Sequence, residues 1–150
     1  MNADLHAGGP ADLNASGMTV AVEISNPIFA APMLRRLVMA VAACSNLSLD
    51  RANDAALAAE LLAHATGQAP DEYTLNATVT GSAGGLIISV GPLADGAGGE
   101  LLRASGVPDV GSVVERVADT VWIDTDERGE YLHVRVGVSG TVDAATIQGV

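Results

Sequence analysis

The sequence predicts a two-layer α+β sandwich, with a mixed, mostly antiparallel sheet and three helices on one face. Three observations carry this. Short alternating, β-branched segments open the chain, lie at its middle and close it. Two long segments with helical apolar spacing stand between the first strand and the second. Gly, Pro, Asn and Asp punctuate the rest into the order β-α-α-β-β-loop-α-β-β, with no internal repeat or interdomain linker.

Thr19-Val20-Ala21-Val22-Glu23-Ile24 alternates, which predicts a strand over about 18–25, and Asn26-Pro27 ends it. From about residue 30 to 45, Met33, Leu34, Leu37, Val38, Val41 and Cys44 form one helical stripe, with Arg35 and Arg36 off it or at its border. Pro27 or Pro32 suits the first turn, where a missing N–H does no harm. Ser48 or Asp50 is the expected N-cap of a second helix reaching about residue 66, rich in Ala and Leu. Gly67 suits its end and Pro70 forbids continuation.

Thr74 to Thr80 alternates as a strand, residues 81–85 turn it, and Leu86-Ile87-Ile88-Ser89-Val90 is its antiparallel partner. That unbroken apolar run implies a central position or cover on both faces. Residues 91–107 read as a Gly-rich loop of 17 residues, with a short helical turn near 100–104. Such a length exceeds an ordinary connection. Pro108 to Ala118 predicts a helix with Val110, Val113, Val114 and Val117 facing inward. A hairpin closes the domain. Val121-Trp122-Ile123 starts it, residues 126–130 turn it, and Tyr131 to Val136 returns with Leu132, Val134 and Val136 on one face. The expected organisation is one domain over 18–138, a disordered leader at 1–17 and a flexible tail at 139–150.

Across 150 residues, 7 Lys+Arg stand against 18 Asp+Glu, a net charge of −11, and every one of the 7 is Arg. Neutralising phosphates needs cations, so this balance excludes non-specific binding to nucleic acid or anionic membranes. A hydrophobic content of 49% excludes a disordered chain. The single Cys44 excludes an intramolecular disulfide or a CxxC site, and its place on the apolar stripe predicts a buried structural thiol. No cationic start with an apolar run opens the sequence, and Leu37 to Cys44 is too short to cross a bilayer. A cytoplasmic protein is the expectation.

The block SLDRANDAALAAELLAHA resembles the N-box helix of GHKL-type (Bergerat-fold) ATP-binding proteins. More narrowly, it is similar to bacterial anti-sigma-factor serine/threonine kinases and their actinobacterial relatives. That family's helix reads roughly D-x-x-L-A-x-x-E-x-x-x-N-A, and Asp54, Leu57, Ala58, Glu60 and Ala65 match it. VVERVADTVWIDTDERGEYLHVRV resembles the family's last helix and hairpin, and the likeness in element order spans about residues 18–137. The resemblance implies the histidine-kinase-like ATPase fold.

Three departures mark the implied nucleotide site. His64 stands where the family has the N-box Asn that holds Mg²⁺ against the phosphates, and imidazole is a poor magnesium ligand. Pro92 stands where an Asp would accept the adenine amino group; Asp95 could replace it only if the loop shifts. Asp95-Gly96-Ala97-Gly98-Gly99 has the composition of the family's glycine motif without its spacing, and Gly106 and Gly111 stand apart where a G-x-G run is expected.

The resemblance therefore implies Glu60 as the catalytic residue, orienting the attacking hydroxyl, and His64, Asp95, Gly96, Gly98 and Gly111 as nucleotide contacts. ATP and Mg²⁺ would bind only to an intact site. Backbone N–H groups of the loop would cradle phosphates, yet Asp95 and Glu100 face Arg103 alone. The plainer reading makes Glu60 and His64 a solvated or self-paired i, i+4 couple and the loop a flexible or collapsed lid. A zinc site lacks ligands, and no G-x-S-x-G elbow supports a Ser-His-Asp triad.

The expected function is a regulatory protein-binding module with weak or lost ATP binding and no cofactor. By resemblance its partner would be a sigma factor, a STAS-type anti-sigma antagonist or a second copy of the chain. Asp124, Asp126, Glu127 and Glu130 form either a solvated turn or an acidic docking surface for a basic partner. Two alternatives stand beside this: an active ATP-dependent serine/threonine kinase acting on a STAS-type antagonist, and an unrelated α+β binding domain.

Overall fold

The structure, a computed structural model, describes residues 17–66, 71–107 and 111–137. Strand β1 (Met18–Ile24) leads into helix α1 (Pro27–Cys44) and helix α2 (Leu49–Ala65). Strands β2 (Leu75–Ser82) and β3 (Gly85–Leu93) form a hairpin. Helix α3 (Ala97–Ala104), the short strands β4 (Gly106–Val107) and β5 (Gly111–Ser112) and helix α4 (Val113–Val117) follow. Strands β6 (Thr120–Asp126) and β7 (Gly129–Val136) close the fold. The leader and tail expectations, and those on Gly67, Pro70, Pro108 and Val110, lie outside the described residues.

The main sheet has five strands in the order β1-β2-β3-β7-β6, and each neighbouring pair is antiparallel. The α+β sandwich expected from the sequence is observed, and β3 holds the central place that its apolar run implied. Alternation decides which face is covered. Val20, Val22 and Ile24 of β1 stand opposite Val79, Ala77 and Leu75 of β2. Across β3 and β7 the same layer continues through Leu86, Ile88, Val90, Leu132, Val134 and Val136, all buried. The helices pack on this layer.

Helix α2 begins at an expected cap, whereas α1 begins at Pro27, three residues before the expected start, because Asn26, read in the sequence only as the end of β1, caps it. The Asn26 side chain accepts from the Ile28 N–H at 2.9 Å with Pro27 at the first helical position, and Ser48 accepts from the Arg51 N–H at 3.2 Å. The buried face of α1 differs from the expected stripe. It comprises Ala30, Ala31, Leu34, Val38, Val41 and Ala42, while Met33 and Cys44 are exposed. The expectation followed the large apolar side chains. The helix instead turns its alanines inward, because α1 and α2 lie side by side and α2 buries Ala52, Ala55, Ala56, Ala58, Ala59, Leu62 and Ala63. Small side chains allow that close approach, so Cys44 is a surface thiol and not a core one.

By length and composition α1 could cross a membrane, with 18 residues and a mean hydropathy of 1.5, which the shorter run at Leu37 to Cys44 did not reveal. Only a third of that stretch is buried, its alanine face in the core, and one such helix is weak evidence of a membrane span.

The Gly-rich segment is more ordered than expected. β3 runs on to Leu93 and α3 begins at Ala97, so only residues 94–96 connect them. The helix expected from Pro108 starts only at Val113 among the described residues. Gly111 and Ser112 first pair with Val107 and Gly106, and Ser112 then caps α4 by accepting from the Glu115 N–H at 3.2 Å.

Two words of the resemblance are structural joints. Arg51 binds Asp54 and Asp119 together, each at 2.7 Å, and Asp119 also accepts from the Gly137 N–H at 2.8 Å. This ties the first turn of α2 to the end of the closing hairpin.

Candidate functional site

Helix α2 carries Glu60 and His64. Glu60 Oε1 lies 2.6 Å from Arg35 Nη1, so the carboxylate bridges α2 to α1. His64 is exposed, and among the described residues no bond joins it to Glu60, so the self-paired couple does not form. Arg35, treated in the sequence only as a residue off the apolar stripe, is the partner of the expected catalytic group.

The turn before α3 holds Asp95, Gly96 and Gly98. Asp95 is exposed. Gly96 sits at the N-cap with φ of 82°, a left-handed conformation that favours glycine. It supplies no capping side chain, and the orphan N–H groups are met from elsewhere. Glu130 Oε1 accepts from the Gly98 N–H at 2.7 Å, and Glu130 Oε2 accepts from the Gly96 N–H at 3.2 Å. The N-terminus of a helix favours an anion, and here the anion is the protein's own carboxylate.

The expected adenine contact meets a different obstacle. The β3–β7 register shifts between Val90 and Leu93, which marks a bulge. Gly91, with φ of 150°, lies there so close to β7 that an added Cβ would stand 2.7 Å from the Glu130 carbonyl oxygen. Pro92 follows, exposed and without a carboxylate to offer an adenine ring.

Three clefts surround this region. One of about 350 Å³ lies between the end of α2, Leu93 and α3, lined by Ala65, Thr66, Ala97, Leu101 and Ala104, with Glu100 as its charged member. A smaller one of about 110 Å³ adjoins it at Thr66 and Leu93. The third, about 540 Å³, lies between α3 and the β4–β5 pair and includes Gly111, Arg103 and Glu115. Among Glu60, His64, Asp95, Gly96, Gly98 and Gly111, only Gly111 lines any of them. The fit to a magnesium nucleotide is therefore poor. The glycine N–H groups already hold a carboxylate, the cleft beside α2 presents a negative charge, and Arg103 of the third cleft is paired with Glu100. Among the described residues, no group of three His, Cys, Asp or Glu could hold a metal ion.

The sheet face opposite the helices holds a cluster that the sequence reading missed. Ser89 Oγ and His133 Nδ1 are 2.7 Å apart, and His133 Nε2 lies 4.0 Å from Asp124 Oδ2. The imidazole is stacked with Trp122 at 4.9 Å and with Tyr131 at 6.2 Å between centroids. Nε2 is buried without a hydrogen-bond partner among the described residues, and the Ser89 hydroxyl can donate to or accept from Nδ1 according to the tautomer. Burial lowers the His133 pKa from its ordinary 6.5, and the Asp124 charge partly opposes this. Strand register was the missing signal, since Ser89 stands opposite His133, which stands opposite Trp122. The letters of a hydrolytic triad are present without its machinery. β3 is hydrogen-bonded on both edges, so its N–H groups are committed to the ladder and supply no oxyanion site.

Fold and site together describe an antiparallel α+β sandwich whose glycine turn is closed by its own carboxylate. No protein-family model matches the sequence, and no curated protein matches it. Among solved structures, the chain is similar to one in the SiaB–SiaC complex from Pseudomonas aeruginosa, with a TM-score of 0.54 and 10% identity over 90% of this chain and 97% of that one. At that identity the likeness is one of fold.

Proposed function

We propose that the chain is a regulatory protein-binding module, similar to anti-sigma factors, in which tight ATP binding has been lost. The observation that carries this reading is Glu130 seated on the Gly96 and Gly98 N–H groups, where a nucleotide phosphate would need them. Pro92 at the adenine position and Glu100 in the adjoining cleft act in the same direction. The similar solved chain comes from a two-protein complex, which supports a role in protein association. The partner is a sigma factor, a STAS-type antagonist or a second copy, in a cytoplasmic setting.

Titration calorimetry with Mg·ATP tests the nucleotide half, with no saturable heat expected at millimolar concentrations. Micromolar affinity would overturn it. Mixing with sigma factors and STAS proteins of the same genome, followed by gel filtration, tests the other half. The absence of any complex there would remove the binding role.

A further inference from the structure

The first half of α1 leaves large apolar side chains in water. Ile28 is 77% exposed, Phe29 53% and Met33 52%, and Pro32 is exposed beside them. Positions 28, 29, 32, 33 and 36 share one helical face, so these side chains form a single stripe that ends at Arg36. The other exposed large apolar residues, such as Leu49 and Ile123, belong to separate elements. A contiguous apolar strip rimmed by charge is the usual mark of an interaction site, whereas scattered residues are not.

The charge beside the stripe selects the occupant. The chain carries −11 overall, yet Arg35 and Arg36 are adjacent here, and the first turn of α1 has no acidic residue. Arg35 is held by Glu60, while Arg36 is exposed and makes no ion pair among the described residues. A lipid surface fits poorly, because an anionic bilayer would be repelled by the body of the protein and Arg36 alone on this stripe is too little to hold it. A second copy fits less well, because two bodies that each carry −11 repel one another.

We propose that this face docks an amphipathic helix of a partner protein, with apolar anchors for Ile28, Phe29 and Met33 and a carboxylate for Arg36. Packing of one helix on another uses such i, i+3, i+4 and i+7 positions, here 29, 32, 33 and 36. The inference rests on the protein-binding reading above and gives it a surface, on α1 and not on the acidic closing hairpin.

The test uses the full chain and a labelled 16-residue helical peptide bearing Leu anchors, Glu flanks and one photo-crosslinking Leu, with a Lys-flanked twin. Fluorescence anisotropy at physiological salt should show the Glu peptide binding and crosslinking to residues 28–36. Phe29→Ser with Met33→Ser should weaken it at least tenfold, and Arg36→Glu should shift preference toward the Lys twin. Both positions are exposed, so unchanged circular dichroism and melting will show that the variants fold. Crosslinks on Asp124, Asp126 or Glu127 instead would overturn the α1 site while leaving protein binding intact. Binding of neither peptide would overturn the α1 site, and the gel-filtration test above separately judges protein binding. Loss of vesicle binding (phosphatidylcholine with phosphatidylglycerol) or of a dimer in the double variant would replace the proposed partner by a membrane or a second copy.

Discussion

Glu130, the second residue of the last strand, accepts from the Gly98 N–H at 2.7 Å. The contact joins β7 to the start of α3, and Gly96 adds a second bond at 3.2 Å. A Cβ at 98 would lie 2.8 Å from Glu130 Oε1, so a side chain there would push the carboxylate away from the N–H it accepts from. The acidic hairpin thus spends one of its carboxylates inside the fold, where the sequence suggested only solvent or a basic partner.

Replacing this carboxylate should loosen α3 in particular. Hydrogen bonds to a charged group contribute about 1.5–3 kcal/mol, and the half-exposed setting puts Glu130→Ala toward the lower end. In a chain of this size each kcal/mol lowers the melting temperature by roughly 2–4 °C. Glu130→Gln should fall between the variant and the parent, because it keeps an acceptor and loses the charge. Hydrogen exchange offers the direct check. The Gly98 amide should lose protection in Glu130→Ala while β3 amides keep theirs, and unchanged Gly98 protection would remove the contact from the account.

How much was legible follows from what each signal measures. Alternation identified the strands because one sheet face is dry, so Leu132, Val134 and Val136 announce their side without help. A capping residue fixed the start of α2 because Ser48 acts within three residues, whereas Asn26, which caps α1 in the same way, was read only as the end of the first strand. The packing between helices was not legible. Alanine is silent in a count of large apolar residues, and the true face of α1 rests on Ala30, Ala31 and Ala42. Site contacts were harder still. Glu130 to Gly98 and Arg35 to Glu60 span 32 and 25 positions, and such pairs follow from topology alone. Single-residue resemblance gave Glu60 a chemical role, and only the packing of α1 against α2 reveals its arginine.

That ion pair should matter little to stability. Arg35 and Glu60 have 46% and 34% of their side-chain surface exposed, and such pairs contribute about 0.2–1 kcal/mol. A double-mutant cycle with Arg35→Ala and Glu60→Ala should give a coupling inside that range, shrinking in high salt. A coupling well above it would mean the pair is buried by something that binds over it.

His133 should make the fold sensitive to mild acid. Burial lowers its pKa below 6.5, while the unfolded chain titrates near that value. Below about 6.5 the unfolded state therefore takes up a proton that the folded state declines. Stability contributed by this group is present above 6.5 and declines as pH falls toward the folded pKa. His133→Gln should flatten that part of the urea-stability profile. Asp124→Asn should lower the pKa further, because it removes the opposing charge. An NMR titration placing the His133 pKa above 6.5 would reverse the sign and sink the argument.

The alanine face of α2 yields the last prediction, and it runs against side-chain size. Ala58 is completely buried, whereas its neighbour Leu57 is 39% exposed. Leu57→Ala removes surface that water already reaches, so it should cost less than about 1 kcal/mol. Ala58→Leu adds three carbons where the interior is closed, and overpacking of this kind costs about 1–3 kcal/mol. The enlarged residue should also push α2 outward and disturb the Arg51 joint to Asp119, which depends on the first turn of the same helix. Chemical denaturation of the two variants orders them. A larger loss from Leu57→Ala would mean that the exposed side of α2 is covered in solution and that its alanines are not what sets the helix spacing.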